Sequence, residues 1–440
     1  MDTFKVPKLT LMLKRPFPLM DVCLRAAIIC WLSIILVHAD TLKVSRPDGP
    51  VTRDEIDSFK AYMQTVEPES DNIINRWAQG RSGSMVQALG LMYEVTKDQA
   101  ILDRMIYFCD AVLSERNDIA NAPLGQHQDW LGDIPPAWPN RDTDTMEFGE
   151  GEQGDSIGHL GYCAQLILST PSIWKNQVTI GDPHHYGATY LERAKTYVKQ
   201  ADDSLDKFVF PYLLDLSHDN HYWWSMQRPT SRPSAPRGGC VPWNQQMMFS
   251  YALQSLAQSH EILKDDPARV KKYDSIVGAN MKWFFDTVTH YTSPKTGSAC
   301  YNWAYALPAT SGEDSNHGSL DVAGIVHAFA SGRYGLKKED LVPFANTVID
   351  VMILGPKEYA GRVNGANGEK HAAETKYLRS GYLMLAAFTS TPDAYAALID
   401  PSMASGATDD PLAFARFIWV KDYRRHQQQQ DVPQKNVSQK

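Results

Sequence analysis

Apolar residues in this chain recur at three- and four-residue spacing, the period of a helix with one buried face. They do so over 53–65, 82–95, 98–115, 153–169, 187–208, 242–263, 267–290, 318–333, 338–354, 371–388 and 411–423. Strand-like alternation is nearly absent. Helix-start signals agree: "TRDE" at 52–55 and "KEDL" at 338–341 put acids in a first turn, and Pro242 opens another. The segments come in pairs. A helix rich in small residues, "SGSMVQALGLMYEVT", precedes an amphipathic one, "QAILDRMIYFCDAVLSERND", and the alternation returns at 153/187, 242/267, 318/338 and 371/411. This pattern predicts an all-α fold, an (α/α) toroid or barrel of five to seven helical hairpins, as one domain over residues 40–423. The pairs repeat at roughly 60–90 residues, too irregularly for tetratricopeptide or ankyrin arrays.

The two ends read differently. Lys5, Lys8, Lys14, Arg15 and Arg25 precede the apolar run "AAIICWLSIILV" and the small-residue site "VHA", the order of a secretory signal peptide over residues 1–39. That run is too short to span a bilayer, which takes about 20 residues. A secreted, extracellular protein with no membrane association after cleavage is the expectation; a signal anchor is the alternative. At the other end, "RRHQQQQDVPQKNVSQK" predicts a disordered polar tail over 424–440 that carries a glycosylation sequon at Asn436.

Removing the leader takes away five basic and two acidic side chains, and the net charge moves from -8 to -11. Such a chain is a poor nucleic-acid binder. An anionic ligand then needs basic groups gathered locally. Four cysteines remain: Cys109 and Cys163 in apolar helical patterns, expected as buried thiols, and Cys240 and Cys300 in loops, expected to pair as a disulfide. No C-x-x-C pair offers a metal site, and neither metal nor cofactor is expected.

Three long loops, 116–152, 209–241 and 291–317, each feed the start of an inner helix. Loops of this length are usually functional. In a toroid of antiparallel hairpins the inner helices all run one way, so their N-termini share a rim, with its N–H groups and positive dipole ends. Asn244 opens the helix of "VPWNQQM", His317 precedes "GSLDVAGIVHAF", Arg362 stands on a loop, and Tyr377 follows it in "AAETKYLRSGYLMLA". Together they suit β-elimination on a uronic acid. Donors grip the carboxylate and stabilise the charge that builds as the C5 proton leaves. A Tyr or the His takes that proton, and a Tyr hydroxyl protonates the departing oxygen. Trp130, Trp138, Trp223, Trp224, Trp243 and Trp303 are candidate platforms for sugar rings.

The helical hairpins, "WNQQM", "GEDSNHGSLD" and "GRVNGANGEKHAAETKY" together resemble the toroidal polysaccharide lyases, most of all polysaccharide lyase family 38, whose members cleave alginate and glucuronan. The resemblance spans about residues 80–400. It implies an Asn and a His that neutralise the carboxylate, an assisting Arg and a catalytic Tyr, carried here onto Asn244, His317, Arg362 and Tyr377. The 15-residue spacing from Arg362 to Tyr377 is longer than the family pattern, and Arg379 and Tyr382 stand as substitutes. "DNHYWW" also resembles the Asn-His-aromatic segment of other alginate lyases, which makes His221, beside Tyr222, a rival neutraliser. An anionic polysaccharide is the expected partner.

Each residue has a plainer reading: Asn316 and His317 as a helix cap, Arg362 as the partner of Glu358, Tyr377 and Tyr382 as packing groups. Two other functions stay open. One is a glycoside hydrolase on the same toroid, using two carboxylates from Glu147, Glu150, Glu152, Asp155, Asp314 and Asp321. The other is a non-catalytic carbohydrate-binding toroid.

Overall fold

The computed structural model describes residues 41–68, 80–119, 125–141, 146–149, 151–229, 236–367, 378–403 and 410–431. Residues Met1–Asp40 separate from Thr41–Lys440 as a unit of their own. The expected leader, Tyr377, Glu150, the Glu147 side chain and residues 432–440 lie outside the described residues.

Among the described residues eleven α-helices and a 3₁₀ helix carry the fold. In chain order they are α1 (Arg53–Thr65), α2 (Gly80–Thr96), α3 (Gln99–Ser114), α4 (Gln153–Leu168), α5 (Tyr190–Ser204), α6 (Trp243–Leu263), α7 (Pro267–Thr287), α8 (Ser315–Ala330), α9 (Lys338–Thr347), the 3₁₀ helix Tyr382–Phe388, α10 (Pro392–Met403) and α11 (Pro411–Asp431). Local chemistry sets their starts. Thr52 with Glu55 and Thr189 with Glu192 form reciprocal capping boxes for α1 and α5. The Asp266 side chain caps α7, with Pro267 in its first turn. Two outer helices run on into π-helical turns, Leu205–Leu213 and Val348–Met352. Pro211, which has no N–H for the α-helical ladder, lies inside the first of these.

The elements alternate between two rings. α2, α4, α6, α8, the 3₁₀ helix and α11 each pack on the next, and α11 packs back on α2, closing the inner ring. α3, α5 and α7 back the inner helices that precede them, while α9 and α10 both cover the 3₁₀ helix. The fold is an (α/α) toroid. α1 fastens its seam: Phe59 stacks on Phe414 of α11 at 5.9 Å, and the buried Glu55 carboxylate accepts from Lys421 Nζ at 2.7 Å.

The α4–α6 contact is the closest in the ring, and glycine makes it possible. A Cβ at Gly154 would sit 2.6 Å from the Phe249 backbone nitrogen, and one at Gly158 would lie 2.2 Å from the Tyr251 ring. Helices that close leave little room for any side chain at the crossing.

Several expectations change. Cys240 and Cys300 are buried free thiols, as Cys109 and Cys163 are. Cys240 Sγ accepts from Gln246 Nε2, whereas Cys300 sits in the hairpin that pairs Thr289–Thr292 with Ala299–Asn302. The described end of the helix expected over 371–388 is 3₁₀, and it is tied to α8 rather than to a preceding turn. Gly381 N donates to Ser319 Oγ at 3.0 Å and Tyr382 Oη to the Ser315 carbonyl at 2.9 Å. α10 has no counterpart in the periodicity. It takes the outer position expected for 411–423 and moves α11 to the inner ring. α11 also runs past residue 423 to Asp431, held where Arg424 donates to the Ala386 and Thr389 carbonyls.

Gly154→Ala is expected to lower stability by about 1–3 kcal/mol through overpacking. Gly278→Ala, in α7 with its nearest neighbour atom 3.8 Å away, gains helix propensity of up to about 1 kcal/mol. Urea midpoints of the two variants test this, and a neutral Gly154→Ala would show that the α4–α6 contact is looser than described.

Candidate active site

Three of the inner helices each send one ring to the toroid's hole. Tyr162 (α4), Tyr251 (α6) and His327 (α8) meet edge to face, with ring centroids 5.8, 5.4 and 5.3 Å apart. Tyr162 Oη donates to Glu94 Oε1 at 2.8 Å, and the Tyr251 hydroxyl lies 3.3 Å from His159 Nδ1. These rings form a floor. Seven residues earlier on the same three helices stand Asp155, Asn244 and Leu320, two turns or about 10 Å higher. The close contacts of Gly151, just before α4, with Gln245, of Gly154 with Met248 and of Gly161 with Leu256 advance along α4 and α6 in the same sense, so these two helices run parallel, as the toroid reading requires. The rings and Asp155, Asn244 and Leu320 line a cavity of ≈ 100 Å³.

The polar groups of this cavity are unevenly satisfied. Asn244 is 1% exposed, and neither its Nδ2 nor its Oδ1 finds a hydrogen-bond partner. A buried amide left bare costs about 1–3 kcal/mol, which a ligand would recover. Asp155 is half-buried, and burial pushes its carboxyl up to about 7. Burial also draws His327 down to about 4 and His159 to about 3, so both imidazoles are neutral near pH 7. Arg416, from α11, lines the cavity as well.

A second cluster sits at the mouth. His317, Leu320, Gly324 and His327 follow one another by three, four and three residues, so His317 lies on the cavity-facing stripe of α8, one turn above Leu320. The cap of α8 is Asp314: its Oδ1 accepts from the Asn316 and His317 amides at 2.9 and 3.0 Å. Its Oδ2 lies 2.5 Å from His317 Nδ1. Burial opposes ionisation of Asp314, but the His317 hydrogen bond and charge prevail and hold the carboxyl below its ordinary value. Nδ1–H donates to Asp314, so in the neutral imidazole the lone pair is on Nε2.

Behind this pair lie two buried acids. Burial, with the charges of Asp321 and Asp314, pushes Glu313 up to about 10. Burial likewise raises Asp321, which accepts from Trp303 Nε1 at 2.8 Å. Glu313, Asp314 and His317 bring one ligand atom each within 4.8 Å of one another, the described group that could hold a metal ion. Hydrogen bonds already engage both Asp314 oxygens and Glu313 Oε1.

Tyr305 links the first turn of α6 to His317. The N–H of Trp243 donates to the Tyr305 carbonyl at 3.0 Å, and the Tyr305 ring packs 5.0 Å from that of His317. Arg362 is close by. Its backbone bridges Asp314, and its Nη1 donates to the Gly312 carbonyl at 2.7 Å, so it braces the loop before α8. The exposed Arg379 donates through Nε to Asn316 Oδ1 at 2.7 Å. Tyr377 lies outside the described residues.

Burial corrects the expectations for Tyr382, Trp243, Trp303 and Tyr222, whereas His221 and Trp130 are half-buried. Tyr382 is fully buried against α8, and burial raises its pKa. Trp243 packs in the core on Trp283 and Phe284, and Trp303 on Phe344. Tyr222, Trp138 and Trp224 are buried too. His221 stacks at 4.2 Å on Trp283 of the outer helix α7. Trp130 tilts against Phe208 in the turns after α5. These rings build the two walls of helices and the seams between them. Tyr305 and Arg416 were not among the expected site residues; "CYNWAYALP" reads as a plain aromatic loop, and Arg416 lies on a helix expected to face outward.

No family model and no curated protein matches the chain. Solved structures similar to it include the GH76A alpha-1,6-mannanase from Salegentibacter sp. HEL1_6, at 12% identity over 84% of this chain and 98% of that chain, with a TM-score of 0.37. A family 76 glycoside hydrolase (mannosidase) from Bacteroides thetaiotaomicron VPI-5482 shares 12% identity over 77% and 68%, with a TM-score of 0.34. A polysaccharide lyase shares 9% over 80% and 91%, with a TM-score of 0.36.

Asp155 gives a pH test. The folded protein binds its proton up to about 7, whereas the unfolded carboxyl releases it near about 3.9. Stability therefore falls as pH rises between those values. Asp155→Asn should be more stable than the parent by on the order of 1–3 kcal/mol near about pH 8, with the gain vanishing by about pH 4. Denaturation midpoints across that range check it; a gain that does not vary with pH would contradict the shift.

Proposed function

We propose that this chain is a secreted polysaccharide lyase that cleaves a uronic-acid-containing polysaccharide, alginate or glucuronan, by β-elimination. Residues 1–39 are its leader and the toroid from residue 40 onward its catalytic domain. The observation that carries the reading is the bare, buried amide of Asn244 in the cavity, in the first turn of a helix tied by its Trp243 N–H to Tyr305, whose ring packs on a histidine that a carboxylate orients.

The chemistry follows from these groups. Asn244 donates to the substrate carboxylate and disperses the charge that accumulates on it as the C5–H bond breaks. His317, with Nε2 basic and Nδ1 anchored on Asp314, accepts that proton or helps to neutralise the carboxylate. The departing glycosidic oxygen needs an acid. Tyr377 is the phenol implied by the family resemblance, and Tyr305 is the one packed on the His317 ring. The exposed Arg379 at the rim and the dipole ends of the inner helices favour a polyanion in spite of the acidic net charge.

A second reading has one observation in its favour. Asp155, with its carboxyl near 7, has the pKa of a general acid in a hydrolase. Hydrolysis takes two carboxylates across the bond, and among the described residues lining the cavity Asp155 is the one acid.

The test is a panel of alginate, polymannuronate, polyguluronate, glucuronan and ulvan. Elimination leaves a 4,5-unsaturated uronate whose ultraviolet absorbance rises with time. Asn244→Ala and His317→Ala should each lower that rate by at least about 10²-fold. Saturated products would establish hydrolysis, and unchanged oligosaccharides after long incubation would establish binding alone.

A further inference from the structure

Arg416 is a buried cation without a counter-charge. It is 6% exposed and lines the axial cavity. Its one hydrogen bond to a described residue runs from Nη1 to Ser380 Oγ, at 2.7 Å, although a guanidinium carries five N–H donors. No described carboxylate lies within ion-pair distance of it. The acid that acts on it is Asp410, exposed at the start of the same helix. Burying an unpaired charge is costly, and the cost is recovered when an anion arrives.

Its height in the cavity is also fixed. Ser380 precedes Gly381, whose N–H bonds Ser319 Oγ, and Ser319 adjoins Leu320. Arg416 is thus tied near Ser319 and Leu320 of α8, and it lines the same cavity as Asp155 and Asn244. Of the other titratable groups facing the cavity, His327, Tyr162 and Tyr251 are neutral near pH 7, because burial lowers the first and raises the other two. Asp155 holds its proton up to about 7 and does not repel an anion below that.

We propose that Arg416 and Asn244 form a carboxylate-binding subsite within the toroid's hole, which takes the acid group of a single uronate residue and selects uronates over neutral sugars. The subsite deepens the lyase reading, on which its assignment to a uronate rests. A guanidinium can offer a carboxylate two parallel N–H donors, and the amide of Asn244 a third. The aromatic floor below ends the site, so a polymer does not thread through the ring.

The experiment titrates the whole protein with sodium glucuronate and, separately, with glucose, by ligand-observed NMR and calorimetry. Glucuronate is expected to bind at least about tenfold more tightly than glucose, as one charge-assisted pair provides. In Arg416→Gln that preference should collapse to within about twofold, and Arg416→Lys should keep part of it. A purely structural Arg416 would change the melting temperature and leave the preference intact, which overturns the proposal. Equal binding of the two sugars by the parent, or binding of neither, overturns it as well. If Arg416→Gln fails to fold, as its circular dichroism would show, the parent comparison and Arg416→Lys decide. Selective glucuronate binding without any unsaturated product would leave the subsite standing and remove the lyase reading.

Discussion

A ring of inner helices closes only when neighbours approach more nearly than ordinary side chains allow. The α4–α6 contact meets that demand with Gly154 and Gly158, and the Tyr251 ring fills the space that a side chain at Gly158 would need. Because the helices lie so close, every residue on their inward stripes is pressed toward the axis. That is why three aromatic rings meet there and seal the floor. On α6 and α8 the contact of Gly324 with Met247 sets Asn244 and Leu320 at similar heights above it. The site is therefore a product of helix packing, and its depth is set by the seven-residue offset between floor and upper level.

The architecture was legible because it is periodic. Alternating small-residue and amphipathic helices gave the two rings, and the shared direction of inner helices brought Asn244 and His317 to one rim. What failed was phase. The twelve-residue helix Pro392–Met403 shows no clear stripe, and without it the last helix falls on the outside of the ring. In the structure that helix is inner and delivers Arg416 to the cavity. A single missed element hid the one buried cation of the cavity.

Other misreadings share a cause. Trp243, Trp303 and Tyr222 look like sugar platforms by composition, but a double ring of helices has long internal seams, and large rings fill them. Burial cannot be read from residue type when the same types serve both purposes. The motif around His317 carried two functions at once: Asp314 caps the helix and orients the imidazole, so the capping and chemical readings of that segment are compatible. The expected Cys240–Cys300 pairing rested on loop placement, and loop placement does not fix the distance between two sulfurs.

The seam that closes the toroid has a consequence for biosynthesis. α2 depends on α11, and α1 is clamped to α11 by the Glu55–Lys421 pair, so contacts near the start of the chain wait for residues made at the very end. Such remote pairings slow folding. Until the last helix leaves the ribosome the nascent polypeptide has an open ring, without Arg416 to line its cavity.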